Sequence, residues 1–273
     1  MTDAHCHPHD LLRYTQDIEG KLRETDTACA ANSWNLQQFE YHKALAKKAH
    51  KEHAVFCCFA LHPQLSPSFA EDGDSRGELS ISLTSGLDLL HSLASTGQID
   101  AVGETGFDLY DERFKATEKL QEHIFTCHVE TALTYNLPLV LHVRRAMHKV
   151  FPFVPTLKKL PAIVFHSWSG TKGEGESLLR RGVNAFFSFG TTVLNKHRQA
   201  MLCASSFPAD RILLETDAPY QPLHGKAFSS WDDLPAICAG ITALRKEAGS
   251  PCNELHDLEA QTTANFLKVF SRW

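Results

Sequence analysis

The chain has 273 residues, 43% of them hydrophobic, enough for one large core. Lys and Arg total 27 against 32 Asp and Glu, a formal net charge of −5, so the basic footprint of a duplex-coating protein is absent. No run of about 18 apolar residues occurs, so no membrane-spanning helix is expected.

The first residues lack the basic-then-apolar pattern of a secretory signal. The eight cysteines form no C-x-x-C pair, and Cys6, Cys29, Cys57 and Cys58 lie in apolar runs. Reduced, mostly buried thiols in a cytoplasmic or nuclear protein are expected.

Eight short β-rich runs alternate with helical patterns. In chain order they are TDAHCH (2–7), DTACAANS (26–33), AVFCCFAL (54–61), DAVGETGFD (100–108), LPLVLHVR (137–144), PAIVFHSWSG (161–170), NAFFSFG (184–190) and RILLETDAP (211–219). Continuous apolar runs suit strands covered on both faces, as in a parallel sheet. Intervening segments such as LQQFEYHKALAKKAHKEH and ERFKATEKLQEHIFTCHVETALTYN carry the charge-rich rhythm, roughly 3.6 residues, of surface helices. Eight such units predict an α/β fold, a (β/α)8 TIM-type barrel occupying residues 1–273 as a single domain. An open doubly wound sheet is the alternative, because sequence does not show closure. SPSFAEDGDSRGELS (66–80) and QPLHGKAFSSWDDLP (221–235) read as loops after strands 3 and 8. LEAQTTANFLKVFSRW reads as a closing helix with Phe266, Leu267 and Phe270 on its buried side. Among the 16 histidines, His42, His50, His91, His123, His128, His148, His197 and His256 fall in polar helical segments and read as solvated surface groups.

The other polar residues are informative by position. His5 and His7 end strand 1, and His62 follows strand 3. Glu104, His142, His166 and Asp217 lie near the ends of strands 4, 5, 6 and 8. In a barrel these C-terminal ends converge on one mouth, where active sites are built. His5 and His7 differ by two, which puts both on one face of a strand. Side by side in a core they are poorly satisfied unless a metal takes a nitrogen from each. Cys6 then points outward, and Asp3 has the parity to orient a histidine from behind. Taken singly, H-x-H can be a disordered tip, Glu104 a cap or buried ion pair, and Asp217 a turn residue before Pro219. Imidazole and carboxylate ligands together suit Zn, Mn, Fe or Mg. Four histidines and two carboxylates exceed the needs of one open catalytic ion and suit two ions sharing a water nucleophile.

DAHCH, GETGFD, LPLVLHVRRA, FHSWSG and RILLETDAPY, in this order, resemble the motifs of the TatD family of metal-dependent deoxyribonucleases, within the amidohydrolase-like metallohydrolases. The resemblance extends from Asp3 to TTANFLKVF. It implies a barrel that hydrolyses DNA phosphodiester bonds as a 3′–5′ exonuclease, with single strands or strand ends as substrate. It also implies two divalent ions, Mg, Mn or Zn. His5, His7 and Asp217 would hold the first, His142 and His166 the second, with Glu104 bridging. Glu104 and Asp217 would be the catalytic carboxylates, Asp217 also accepting a proton from the attacking water. His62 in ALHP and Arg144 would meet the substrate phosphate, Arg144 bidentately.

Departures from the family pattern gather at the substrate rim. The usual H-P-H is His62-Pro63-Gln64, the hydrophobic residue of G-E-I-G is Thr105, and an arginine, Arg145, follows Arg144 in place of an acid. H-C-F-S-G becomes His166-Ser167-Trp168-Ser169-Gly170, and no N-E-P is recognisable after strand 8. Trp168 either stacks a nucleobase or closes the rim, and Arg145 either meets another phosphate or pairs with a surface acid. Phe107 reads as rim packing, Asp108 as support for a ligand, and His9 and Asp10 as loop residues. Two other functions fit the same motifs: hydrolysis of small amides or esters, and a protein-interaction adaptor on an old enzyme scaffold.

Overall fold

The strands are β1 (Thr2–Cys6), β2 (Ala28–Ser33), β3 (Val55–Phe59), β4 (Ala101–Asp108), β5 (Leu139–Arg144), β6 (Ile163–Phe165), β7 (Ala185–Phe189) and β8 (Ile212–Leu214). They pair in parallel and in sequence order. Closure lies just beyond β8, where Asp217 N–H donates to His5 O at 2.9 Å and His7 N–H to Ala218 O at 2.7 Å. The sheet is therefore the expected (β/α)8 barrel rather than an open one. The computed structural model describes residues 1–49, 54–71 and 82–271. Among these no helix is long and apolar enough to cross a membrane.

Helices fill the crossovers and start at side chains that satisfy their free N–H groups. Asn35 accepts from Gln38 N–H ahead of Leu36–Lys48, and Thr171 with Glu174 forms a reciprocal box ahead of Lys172–Arg180. Glu118–Tyr135 stops at Asn136, whose φ of 52° is the left-handed turn that ends helices. Inside the ring Ala4, Ala30, Phe56, Val140, Phe186 and Leu213 form one cluster. Ala31, Phe59, Leu141, Phe187 and their neighbours pack outward beneath the helices. The closing helix, Leu255–Phe270, adds Phe266 and Phe270 to the inner cluster. Leu267 is instead 39% exposed and Val269 takes the buried place, because 266, 269 and 270 share a helical stripe and 267 does not.

Two strands carry one extra residue near the mouth. On β1, Asp3 pairs with Cys29 but Cys6 with Ala31; on β4, Gly103 pairs with Val140 but Thr105 with Leu141. Each bulge resets the alternation of faces. Counted by twos from the interior residue Ala101, Glu104 would face outward. With the bulge it faces in, while Thr105 and Phe107 face out toward His128 and Phe125. Gly106 just beyond has a φ of 130°, and a Cβ there would stand 2.3 Å from His142 O, so this pairing of β4 with β5 requires glycine.

Two histidines expected at the surface are fully buried. His42 Nε2 accepts from His9 N–H at 3.1 Å, so its Nδ1 carries the proton and donates to Ser33 Oγ at 2.8 Å. His128 Nε2 accepts from Leu61 N–H at 3.4 Å, and its Nδ1 donates to Thr105 Oγ1 at 2.6 Å. Each ties a helix to two barrel-mouth segments, a tertiary role that helical periodicity does not reveal. His50 lies outside the described residues. Of the loop at 66–80, Ser66–Glu71 forms a helix and the rest lies outside the described residues.

Burial lowers His128 to about 3 and holds His42 well below the ordinary imidazole value. Both stay neutral in the fold and charge freely in the unfolded chain. Their contribution to stability is whole above the unfolded value near 6.5 and is lost as pH falls through and below it. Urea unfolding at pH 7, 6, 5 and 4 should show stability falling with pH. His128→Gln should make that slope shallower by up to about 1.4 kcal/mol per pH unit. Identical slopes would contradict the assignment.

Candidate metal centre

Six chain segments meet at the mouth. His5 lies on β1 and His7 immediately follows it, His62 follows β3, Glu104 lies on β4 and His142 on β5, His166 follows β6, and Asp217 follows β8. The Glu104 carboxylate is at the centre, with five imidazoles within 3.8 Å. Its Oε2 lies 3.1 Å from His5 Nε2 and 3.8 Å from His7 Nε2. Its Oε1 lies 3.2 Å from His62 Nε2, 2.8 Å from His142 Nδ1 and 3.1 Å from His166 Nε2. Asp217 Oδ1 stands 3.4 Å from His7 Nε2 and 3.6 Å from His5 Nε2. The donor atoms form three overlapping triplets, His5–His7–Asp217, His5–Glu104–His166 and His62–Glu104–His142, each within 4.8 Å. The six residues expected as ligands are thus brought together. His62, expected at the substrate phosphate, joins them at ligand distance.

Burial alone would push the Glu104 carboxyl up, but the imidazoles of His62, His166 and His5 hold it well below the usual range. Burial would lower His166, yet Glu104 and Glu215 raise it well above an ordinary imidazole. Burial likewise opposes a charged His7, and Asp217 overcomes it. His5 goes the other way, lowered by burial and by His166. Without a cation the cluster is a crowded set of donors competing for few protons. His5 and His7 face each other through Nε2 atoms 3.2 Å apart, and the buried Nδ1 atoms of His7 and His166 have no hydrogen-bond partner. Five imidazoles with two carboxylates form a nitrogen-rich set that fits Zn best, Mn less well and the oxygen-seeking Mg least.

A ring of polar side chains holds this centre from behind, and much of it is not evident from sequence. Asn32 Nδ2 lies 3.0 Å from His5 Nδ1. Gln221 Nε2 donates to Asp217 Oδ2 at 2.7 Å. Glu215 accepts from Ser188 Oγ and lies 3.4 Å from His166 Nδ1. The signals for Glu215 and Asn32 are slight: one stands two before Asp217, the other near the end of β2. Asp108 supports His142, with Oδ2 at 3.1 Å from its Nε2 and accepting from Gln64 Nε2 at 2.8 Å. Burial would raise Asp108, but the His142 and Gln64 contacts bring it down to about 2. Asp3 orients no imidazole. It accepts from the backbone N–H of His5 and Thr216 and from Thr216 Oγ1, joining β1 to the segment beyond β8. Burial pushes it up to about 7 against those bonds.

The centre opens into a cavity of about 750 Å³ whose walls include Trp34, Arg144, His197 and Tyr220. His197, read as a surface group, is exposed at this rim. Arg144 reaches the cavity with its guanidinium 3.6 Å from the centre of the Tyr110 ring. Arg145 turns back, donating to Tyr110 O at 3.1 Å and lying 4.4 Å over the same ring; among the described residues it pairs with no acid, and it does not line the cavity. Trp168 corrects an expectation. It is buried outside the barrel against Phe165, Phe187 and Phe207, with no face open for a base. The left-handed turn at Ser167 (φ 44°) directs the next side chain away from the mouth. Phe107 likewise packs outward against Phe125. His9 and Asp10 belong to a helical turn, Pro8–Leu11, and Asp10 is buried.

Comparison with known proteins identifies the family. The model of the TatD related DNase family matches residues 2–271. A metal-dependent hydrolase of Buchnera aphidicola subsp. Baizongia pistaciae is 27% identical over 280 residues, covering 99% of this chain and 96% of the relative. A protein named 3′-5′ ssDNA/RNA exonuclease TatD from Cronobacter turicensis is 34% identical over 192 residues, covering 66% of this chain and 68% of the relative. The crystal structure of YJJV, a TatD homologue of Escherichia coli K12, superposes with a TM-score of 0.80 at 22% identity, covering 100% of this chain and 98% of that one.

Trp168 as a packing residue makes a clear demand. Trp168→Ala should lower the free energy of unfolding by about 3–5 kcal/mol. A change under about 1 kcal/mol in urea unfolding would return Trp168 to the surface.

Proposed function

The chain belongs to the TatD related DNase family of metal-dependent hydrolases acting on ester bonds. Within that family we propose that it is a deoxyribonuclease, removing nucleotides from the 3′ ends of DNA strands with two divalent ions. One observation carries the reading: the two oxygens of Glu104 are divided between separate groups of imidazoles, Oε2 toward His5 and His7, Oε1 toward His62, His142 and His166. A carboxylate so divided suits a bridge between two ions. His5, His7 and Asp217 would hold one, and His142 and His166, with His62 beside them, the other. When bound, such ions polarise the phosphoryl group and lower the pKa of water.

The chain's own residues do the rest. Gln221 occupies Asp217 Oδ2, which leaves Oδ1 facing the cluster to take a proton from the attacking water. The water oxygen bonds to phosphorus as the bond to the leaving alkoxide breaks. Arg144, stacked on Tyr110, presents a planar fork of N–H donors at the cavity wall for a non-bridging phosphate oxygen. Asp108 and Glu215 keep His142 and His166 in orientation, as outer partners of metal-ligand histidines do. The name of the Cronobacter relative covers both DNA and RNA, and DNA is the substrate proposed for this chain.

The test uses metal-stripped protein and end-labelled single- and double-stranded DNA, with Mg, Mn or Zn restored singly. Shortening from the 3′ end should appear only with an added ion. Glu104→Gln and Asp217→Asn should stay folded by circular dichroism yet lose more than about 100-fold in rate, beyond the effect usual for an outer partner. Full activity in a demonstrably metal-free sample, or wild-type rates in either variant, would overturn the mechanism. No cleavage with any ion would overturn the nuclease reading itself.

A further inference from the structure

The cavity has two unlike sides. In a ring of eight strands paired in sequence order, β1 and β5 stand opposite each other. The β5 side is cationic through Arg144, which lines the cavity and lies over Tyr110. The β1 side is aromatic. The His7 ring has Trp34, one residue past β2, at 5.6 Å and Tyr220, from the turn after β8, at 5.3 Å. Both line the cavity and both keep exposed surface. Trp34 belongs to neither hydrophobic cluster, so packing does not account for its size.

These two aromatics are braced to one another. The backbone N–H of Trp34 donates to Gln38 Oε1 at 3.0 Å, Gln38 Nε2 donates to Asp10 Oδ1 at 3.4 Å, and Tyr220 OH donates to Asp10 Oδ2 at 3.0 Å. Gln38 also receives the Asn35 cap at the start of its helix. Gln38 and Asp10 are buried, and none of these bonds involves Glu104 or Asp217. The network therefore fixes the Trp34 backbone and the Tyr220 hydroxyl, while both rings pack on His7.

A rigid aromatic wall beside a phosphoester site suits a nucleobase, because every base offers a π-face and stacking tolerates any sequence. We propose that Trp34 is the platform on which the terminal nucleobase of a single strand stacks, with Tyr220 beside it, while the strand leaves the centre toward Arg144. The proposal rests on the nuclease reading and adds to it the recognition of the base. Binding energy so placed is independent of the chemistry at phosphorus, and an end without a base forfeits it.

Two measurements test this. Thymidine 5′-monophosphate titrated into the protein should quench tryptophan fluorescence, whereas deoxyribose 5-phosphate should not. With Trp273→Phe as the common background, Trp34→Ala should abolish the quench, since Trp168 and Trp231 are buried. In hydrolysis of 5′-labelled single strands, wild type should favour a 3′ end bearing its base over an abasic 3′ end by roughly 10- to 100-fold in kcat/KM, within the range for stacking one base. Trp34→Ala should erase that preference chiefly through KM, and Trp34→Phe should restore most of it. A Trp34→Ala variant that keeps the wild-type ratio overturns the platform while leaving the nuclease intact. A wild type that shortens neither strand overturns the nuclease reading and the platform with it.

Discussion

Glu104 is a carboxylate taken out of water and set within reach of five imidazoles. A buried charge of that kind is tolerated only where opposite charge is supplied close by. The rest of the mouth follows from meeting that demand. The histidines must arrive from separate strands, the strands must close into a ring, and each imidazole must be held from behind. Divalent cations held there would replace the competing protons with positive charge that the donors share.

The barrel delivers those donors through departures from regular geometry. The extra residues on β1 and β4 lie where His5 and Glu104 must face inward. Gly106 permits β4 to continue beside β5 after its bulge. Asp3, bonded to His5 N–H and to Thr216, holds the place where the ring closes, one residue from Asp217. His42 and His128 then tie outer helices to the mouth segments that carry His9, Ser33, Leu61 and Thr105. Fully satisfied buried networks of this kind make a site rigid, and rigidity is what a catalytic centre requires.

Around the centre, chemistry and recognition occupy different parts of the ring. Protons and ligand atoms concentrate on β1, β4, β5 and the segments after β6 and β8. Aromatic surface collects beside His7, and the Arg144 guanidinium stands across from it. The divergence of this chain from its family's motifs includes Gln64, which bonds Asp108 behind His142, and Arg145, which lies over Tyr110.

The amino-acid sequence by itself determined the architecture and which polar residues meet at the mouth. Apolar runs separated by helical stretches specify a parallel sheet with covered faces. In a barrel, any polar residue at a strand's C-terminal end arrives at the same mouth, so His5, His7, Glu104, His142, His166 and Asp217 were legible as a set though not one by one. Only the tertiary structure decided the direction of residues just beyond the strands. Trp168 and Trp34 both follow strands closely, yet a left-handed turn sends one into the outer core while a capped helix start holds the other at the cavity. It also decided that His42, His128, Asp10 and Glu215 are buried partners rather than solvated charges. Strand alternation and helical period fix where a side chain points within a regular element. Turns, bulges and partners distant in sequence decide it everywhere else, and those depend on how the whole ring closes.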